Sequence, residues 1–349
     1  STPLSDTGEP SSESRDAMGL TNRDMALARN IALTTLRRLG EIDTVIKQVY
    51  SRGLPPRSGQ LRAILRIAVC QILFLDVSDH AAVDLAVRLA KYDRRARHHS
   101  GLLNAGLRTV TKEGARLQAD LDGPKLNTPA WLWRSWSEQW GESVARAIAT
   151  THMVEPPLDI SPAADPEIWA DRLGGALLAS GSIRLQRAGA VENLPGYTEG
   201  AWWVQDAAAA LPVKLFGDVR GKKVADLCAA PGGKTLQLAA GGADVVALDR
   251  SAHRMKRVRE NLARSGFNAE IVVGDALEWR PDRLIDGILL DAPCTATGTI
   301  RRHPDVARLK TSKDSSDLIV IQAALLDRGF DCLKDGGTLV YCTCSLDPG

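Results

Sequence analysis

The chain has 349 residues, 44% of them hydrophobic, and its 44 basic and 42 acidic side chains leave a formal net charge of +2. That length predicts two or three domains with full cores, and the balanced charge excludes a uniformly basic nucleic-acid binder, so any such binding must come from local patches. No apolar run approaches the ~18 residues of a membrane span, the N-terminus shows no signal-peptide pattern, and the cysteines lack framework spacing, which together predict free thiols in a reducing, cytoplasmic setting.

In chain order, residues 1–19 are polar and predict a disordered tail. Helical spacing then begins with Met25, Leu27, Ile31, Leu36 and Leu39, and continues through Ile42 to Tyr50. Leu61 to Leu75 is apolar on several sides and reads as a central helix, and His80 to Tyr92 and Leu102 to Val110 supply two more. With no convincing strand, residues 20–118 read as an all-helical domain. Its basic positions include Arg57, Arg62 and Arg66 and the run Lys91, Arg94, Arg95, Arg97, His98, His99. These are either solvated helix faces or an RNA-facing patch.

Residues 119–128 carry Gly, Pro, Asn and Asp and read as a linker. Trp133, Trp136 and Trp140 fall at i, i+3 and i+7, a stripe expected in the core rather than as a platform for bases. Residues 129–205 form a connecting α/β segment, with a helical piece from Pro166 to Leu178 and short strands that carry no assignable chemistry.

Residues 206–349 change character. Val224 to Leu227 is a short apolar strand, followed by the tight loop Cys228-Ala229-Ala230-Pro231-Gly232-Gly233 and by Lys234-Thr235 opening a helix. A strand feeding a glycine turn and a helix N-terminus presents bare backbone N–H groups to a ligand. Asp244 to Leu248 then ends on Asp249, Ala252 to Ser265 is helical, and Ile271 to Val273 leads to Asp275. Gly287 to Leu290 runs into Asp291, and Thr338 to Tyr341 into Cys342 and Cys344. Apolar runs alternating with helical lengths predict a parallel, doubly wound sheet whose ligands lie beyond the strands' carboxyl ends.

Gly233-Lys234-Thr235 matches the tail of a P-loop, so a nucleotide triphosphatase is one reading. Against it, the first P-loop glycine falls at Cys228, and Pro231 removes an N–H from the cradle. Asp249, closing the second strand, suits a ribose diol, with a helix cap as the alternative. A dehydrogenase would need G-x-G-x-x-G, which is absent. Asp291-Ala292-Pro293-Cys294 and Thr343-Cys344-Ser345 each follow an apolar strand, so both thiols should emerge at the ligand edge. Cys332 and Cys342 are expected as buried small hydrophobes. A metal is not expected, because Cys342 and Cys344 are too close for a C-x-x-C knuckle and His303 is the only histidine nearby.

These segments resemble the bacterial 16S ribosomal RNA cytosine-5 methyltransferases that join a NusB-like helical domain to a Rossmann-like, S-adenosylmethionine-dependent α/β core. The matching stretches are Leu20 to Arg29, Leu54 to Arg57, Leu73 to Leu75 with His80 to Val83, Val204 to Asp206, Cys228 to Thr235, Asp291 to Gly298, Arg301 to Asp305, Gly336 to Tyr341, and Thr343 to Ser345. The D-A-P-C and T-C-S pair is the most specific part.

The resemblance implies that Cys228, Ala229, Ala230, Pro231, Gly232, Gly233 and Lys234 wrap the methionine end of S-adenosylmethionine. Asp249 would hold the ribose, Asp275 would lie at the adenine, and Asp291 would sit between cofactor and base. Cys344 would be the nucleophile and Cys294 would assist product release. Arg301, Arg302 and His303 would contact RNA, and the expected partner is small-subunit ribosomal RNA, bound by a monomer without metal or membrane. Family members continue past T-C-S with an acidic run and further strands, so the core is expected to be short at its C-terminus. A silent RNA-binding assembly factor is the remaining alternative, disfavoured by the retained cofactor and cysteine motifs.

Overall fold

Among the described residues the first helix begins at a capping box in which the Thr21 side chain accepts from Asp24 N at 3.2 Å and the Asp24 carboxylate accepts from Thr21 N at 2.9 Å. The computed structural model describes residues 21–186 and 188–347, so the tail expected over 1–19 lies outside the described residues. From the capping box run α1 (Asn22–Arg37), α2 (Leu39–Val49), α3 (Leu61–Phe74), α4 (Asp79–Tyr92) and α5 (Ser100–Gln118). Their apolar faces meet around Ile42, Val45, Leu61, Leu65, Leu103 and Leu107, all fully buried, with α3 at the centre as its all-round apolarity predicts.

Residues 119–128, expected as a linker, hold a further helix instead. Asp122 caps α6 (Gly123–Asn127) by accepting from Lys125 N, and the Asn127 side chain accepts from Gly40 N and Glu41 N at 3.0 and 3.1 Å. The first turn of α2 therefore receives its missing acceptors from a side chain 86 residues away, which no local pattern reveals. Gly40 permits this approach, since a Cβ there would fall 1.8 Å from Leu126 O.

Next come α7 (Ala130–Trp140) and α8 (Glu142–His152), and here two further expectations change. Both helices cluster with residues 21–155 rather than with the connecting α/β segment, and so do residues 297–312, which were expected in the methyltransferase core. The tryptophan stripe is only partly core. The buried line on α7 runs through Leu132 and Trp136, so Trp140 turns outward, 38% exposed, and Trp133 lies beneath the cations of Lys125 and Arg146. Within this unit Arg301 Nε and Nη2 donate to Val154 O and Glu155 O, Arg37 Nη2 donates to Arg301 O, and Arg308 donates to Asn127 O.

The second unit comprises residues 156–296 and 313–345. It opens with a small antiparallel sheet of order β2-β3-β1-β4, from β1 (Leu158–Pro162), β2 (Ala176–Leu177), β3 (Ile183–Leu185) and β4 (Trp202–Val204); α9 (Pro166–Leu173) joins β1 to β2. Then follow α10 (Leu211–Lys214), β5 (Lys223–Leu227), α11 (Gly233–Ala240), β6 (Asp244–Asp249), α12 (Ala252–Ser265), β7 (Glu270–Val273) and β8 (Ile285–Asp291), and, after α13 (Val306–Leu309) in the helical unit, α14 (Ser312–Asp331) and β9 (Leu333–Cys342). The five strands β5 to β9 are all parallel in the order β7-β6-β5-β8-β9. Alternate residues serve opposite faces: Val246, Leu248, Ile288 and Leu290 pack with Leu325 of α14, while Val224, Val245, Leu289 and Val340 pack with Leu238 of α11. The strand order reverses between β5 and β8, which puts the ligand crevice beyond the ends of those two strands. No described helix is long and apolar enough to cross a membrane.

Candidate active site

Parallel pairing fixes which side chains share the crevice. Leu227 pairs with both Leu248 and Leu290, Asp249 with Val273, and Asp291 with Cys342. The loops starting at Cys228, Asp249, Asp275, Asp291 and Cys342 therefore all open at one sheet edge, as the alternation of strands and helices predicts.

The cradle after β5 is held from several sides. Ala229 N donates to Leu248 O at 2.9 Å, Gly232 N to Ala229 O at 2.8 Å, and Asn261 Nδ2 to Pro231 O at 3.2 Å. Gly232 takes φ +104°, where side chains are strained, and so becomes the residue before α11. Cys228 takes φ +66° without being glycine. Such a conformation costs of order 1–3 kcal/mol and survives only where the surroundings enforce it, commonly at ligand sites. Its half-buried thiol is pushed up to about 12 by burial and then by the charges of Asp249, Asp226 and Asp291. Cys228 therefore shapes the cradle and remains protonated.

Asp249 is 3% exposed. Its Oδ2 accepts from Ala230 N at 3.3 Å and lies 3.5 Å from Arg254, while Oδ1 accepts from Ser251 N at 2.9 Å. Arg254 also donates to Ala230 O. The carboxylate thus ties the start of α12 to the cradle, as the helix-cap reading expects. Asp275 is exposed; one carboxyl oxygen accepts from Leu277 N at 2.9 Å, leaving the other for an exocyclic amino group.

Asp291 is the hub. Lys234 Nζ lies 2.7 Å from its Oδ2, and the Cys342 thiol donates to Oδ1 over 3.6 Å. Burial, the largest influence on Lys234, acts to lower its pKa, but the charge of and hydrogen bond to Asp291 outweigh it and the net shift is upward. Lys234 stays an ammonium bonded to the carboxylate that the sequence marks as catalytic. The Cys342 thiol is pushed up to about 12 by burial and by Asp291, which leaves it inert.

The loops after β8 and β9 meet rung by rung: Cys294 Sγ lies 3.4 Å from Cys344 Sγ, and Thr295 Oγ1 lies 2.8 Å from Ser345 Oγ. Gln322 of α14 donates to Pro293 O at 2.8 Å and accepts from Tyr341 OH at 2.9 Å, bracing this turn. Cys344 is exposed and Cys294 half-buried. With the Cys344 S–H donating, that bond lowers Cys294 to about 7 and drives Cys344 strongly upward. This puts the thiolate on Cys294, opposite to the nucleophile expected from the sequence. The two placements are microstates of one pair related by a proton crossing between the sulfurs, so the first ionisation belongs to the pair.

Two contributors escaped the sequence reading. Gln322 sits on an ordinary helix face with no motif around it. Asp226, inside β5, is 1% exposed; its Oδ2 accepts from Thr235 Oγ1 at 2.6 Å, and its Oδ1 has no partner among the described residues. A carboxyl in an otherwise apolar strand was the available signal. Burial pushes its pKa up to about 7, against the Thr235 bond and the Lys234 charge and with the help of Asp291 and Asp249. An acid whose folded pKa is raised holds its proton more tightly folded than unfolded, so its contribution to stability falls as pH climbs from the unfolded value, 3.8, through about 7. Asp226→Asn should therefore raise Tm above neutral pH by several degrees and leave it nearly unchanged at pH ~4. Thermal melts across pH test this, and parallel wild-type and variant curves would remove Asp226 as the source.

Of the residues expected at RNA, Arg301 has its guanidinium engaged by the Val154 and Glu155 carbonyls, a structural role the sequence did not suggest. Arg302 and His303 are half-buried in the same turn, where both backbone N–H groups donate to Thr299 O at 2.8 Å.

Comparison with known proteins adds independent information. The family described as 16S rRNA methyltransferase RsmB/F matches residues 215–349, and the NusB family matches residues 3–112. The ribosomal RNA small subunit methyltransferase B of Pseudomonas putida is 36% identical over 349 aligned positions, covering 93% of this chain and 79% of the relative. Among solved structures, PH0851 superposes with TM-score 0.76 at 24% identity, covering 96% of this chain and 81% of that one. NSun6 from Pyrococcus horikoshii, solved with SFG, gives TM-score 0.56 at 20% identity, covering 63% and 84%, and so shares the fold.

Proposed function

Because the chain belongs to the 16S rRNA methyltransferase RsmB/F family, we propose that it methylates carbon 5 of a cytosine in small-subunit ribosomal RNA through a covalent adduct with Cys344. The observation that carries this reading is the pair of thiols 3.4 Å apart, beside an Asp291–Lys234 ion pair and a glycine cradle on the same sheet edge. S-adenosylmethionine supplies the methyl group as an electrophilic sulfonium. The backbone turn from Cys228 to Gly233 would hold its methionine end, the Asp249 carboxylate its ribose, and Asp275 its adenine.

Carbon 5 of cytosine is too electron-poor to accept a methyl group directly. The Cys344 thiolate adds to carbon 6, forming the C–S bond and moving the ring electrons toward carbon 5 and nitrogen 3. For Asp291 to stabilise the adduct by hydrogen-bonding that nitrogen, its carboxyl must take up a proton, from solvent or from the Lys234 ammonium bonded to it. After methylation a base removes the proton from carbon 5, the electrons return, and the C–S bond breaks. Cys294, next to the departing sulfur, assists this release. Arg302 and His303 contact the RNA from a turn that Arg301 fixes, and such a substrate implies action in the cytoplasm.

A nucleotide triphosphatase fits less well, since Lys234 is committed to Asp291 and three carboxylates repel a polyphosphate. Titration with S-adenosylmethionine and with ATP-magnesium separates the two readings. Bisulfite sequencing of unmodified 16S rRNA incubated with the protein and S-adenosylmethionine tests the proposal, and absence of any new 5-methylcytosine would refute it. Asp249→Ala should weaken S-adenosylmethionine binding by about 10- to 100-fold, as loss of a charged acceptor does. Calorimetry reads this directly, and since Asp249 also braces the cradle, Asp249→Asn should lose less; unchanged affinity in both would sink the ribose assignment.

A further inference from the structure

We propose that the helical unit carries a separate docking site for single-stranded RNA at the end of α4, where Tyr92 stacks on an unpaired base and cations from two loops hold the flanking phosphates. The proposal rests on the ribosomal RNA reading above and deepens it. Tyr92 is 87% exposed, the most exposed large apolar side chain among the described residues. A planar ring in water beside cations is well suited to recognition, since its face is apolar and its hydroxyl can stay wet.

The surroundings of Tyr92 are built rather than loose. Asp93 Oδ1 accepts from Ala96 N at 2.7 Å and from Arg95 N at 2.9 Å, bonds that hold its carboxyl below the usual range. Ala96 is fully buried and pins the turn to the core. The exposed Arg94, Arg95, Arg97 and His98 are thus displayed from a fixed turn, with Lys91 exposed in the last turn of α4. A second loop abuts this turn: Gly59, at φ +60°, comes so close that a Cβ there would fall 2.3 Å from Asp93 Oδ1 and 2.9 Å from Arg95 Cβ. That loop carries the exposed Arg57.

None of Lys91, Arg94, Arg95, Arg97 and Arg57 has a carboxylate partner among the described residues, and the one acid among them, Asp93, is occupied with backbone N–H groups. Other arginines of the unit are neutralised. Arg66, one of the basic positions picked out in the sequence, is held by Asp43 through two bonds of 2.7 and 2.6 Å, and Arg88 is paired with Asp84. Five cations without a carboxylate partner among the described residues thus lie at the end of α4 and on the two loops beside the exposed ring. Phosphate-binding cations with a free aromatic face are the chemistry of single-strand recognition; duplex RNA would use the charges but offer no base to stack.

The test is fluorescence anisotropy of the full chain with a labelled single-stranded oligoribonucleotide and with the same strand annealed to its complement. Tyr92→Ala should weaken single-strand binding about 10-fold and duplex binding little, and Tyr92→Phe should restore the single-strand affinity. Arg95→Glu with Arg97→Glu should weaken both forms and flatten the salt dependence by about 0.7 for each phosphate no longer neutralised. Unchanged affinity in Tyr92→Ala, or equal loss on both forms, would overturn the proposal and leave this surface to a protein partner. S-adenosylmethionine affinity serves as the folding control. Failure of the methyltransferase reading would appear separately, as absence of 5-methylcytosine with the wild-type chain.

Discussion

Cys344→Ala should abolish methylation, lowering the rate by on the order of 10³-fold or more, and should abolish covalent capture of RNA containing 5-fluorocytosine. Fluorine at carbon 5 cannot leave as a proton does, so a protein that forms the carbon 6 adduct is trapped on such RNA, and one that lacks the nucleophile is not. The two sulfurs lie 3.4 Å apart and share their protons, so geometry alone admits either as the attacking atom. Exposure favours Cys344 in this proposal: Cys344 is exposed, whereas Cys294 is half-buried in a turn braced by Gln322. S-adenosylmethionine affinity should survive the substitution, because the cradle belongs to β5, β6 and β7. A denaturing gel of protein with fluorinated RNA reads the result, and capture lost in Cys294→Ala but kept in Cys344→Ala would reverse the assignment.

What the sequence disclosed and what it hid divide along a physical line. The cradle was legible because strand, glycine turn and helix are consecutive, and each is fixed by nearest neighbours. The convergence of Asp249, Asp291 and Cys344 followed from a second regularity, that parallel strands open their loops at one edge. Contacts that depend on distant packing were not legible. Asn127 caps α2 from 86 residues away, and this turns an expected linker into a docked helix. Residues 297–312, following the catalytic loop directly, fold with the helical unit because Arg301 and Arg308 find carbonyl acceptors there. The tryptophan stripe failed for a subtler reason. Spacing gives the line of one face but not the angle of that face to the core, and a rotation by one residue toward Leu132 put Trp140 in water.

Cys294→Ala should do the opposite of Cys344→Ala: form the adduct and release it slowly, so that protein and RNA run together on a denaturing gel even with ordinary cytosine. With Cys344 intact the C–S bond to carbon 6 can still form and the methyl group can still be received. Elimination then requires removal of the carbon 5 proton and departure of the Cys344 sulfur, and Cys294 is the group placed against that sulfur. The pH dependence should change as well. In the wild type the first thiol proton is lost near pH 7, because the thiolate on one sulfur is stabilised by the S–H of the other. Without that partner the first ionisation moves up toward the ordinary thiol range, so the trapped complex should accumulate faster as pH rises above 8, whereas wild-type adduct formation has already levelled off. Gel analysis of adduct yield against pH measures both claims. Turnover at the wild-type rate with no trapped species would exclude Cys294 from product release, and a trapped species with an unshifted pH profile would exclude the shared proton.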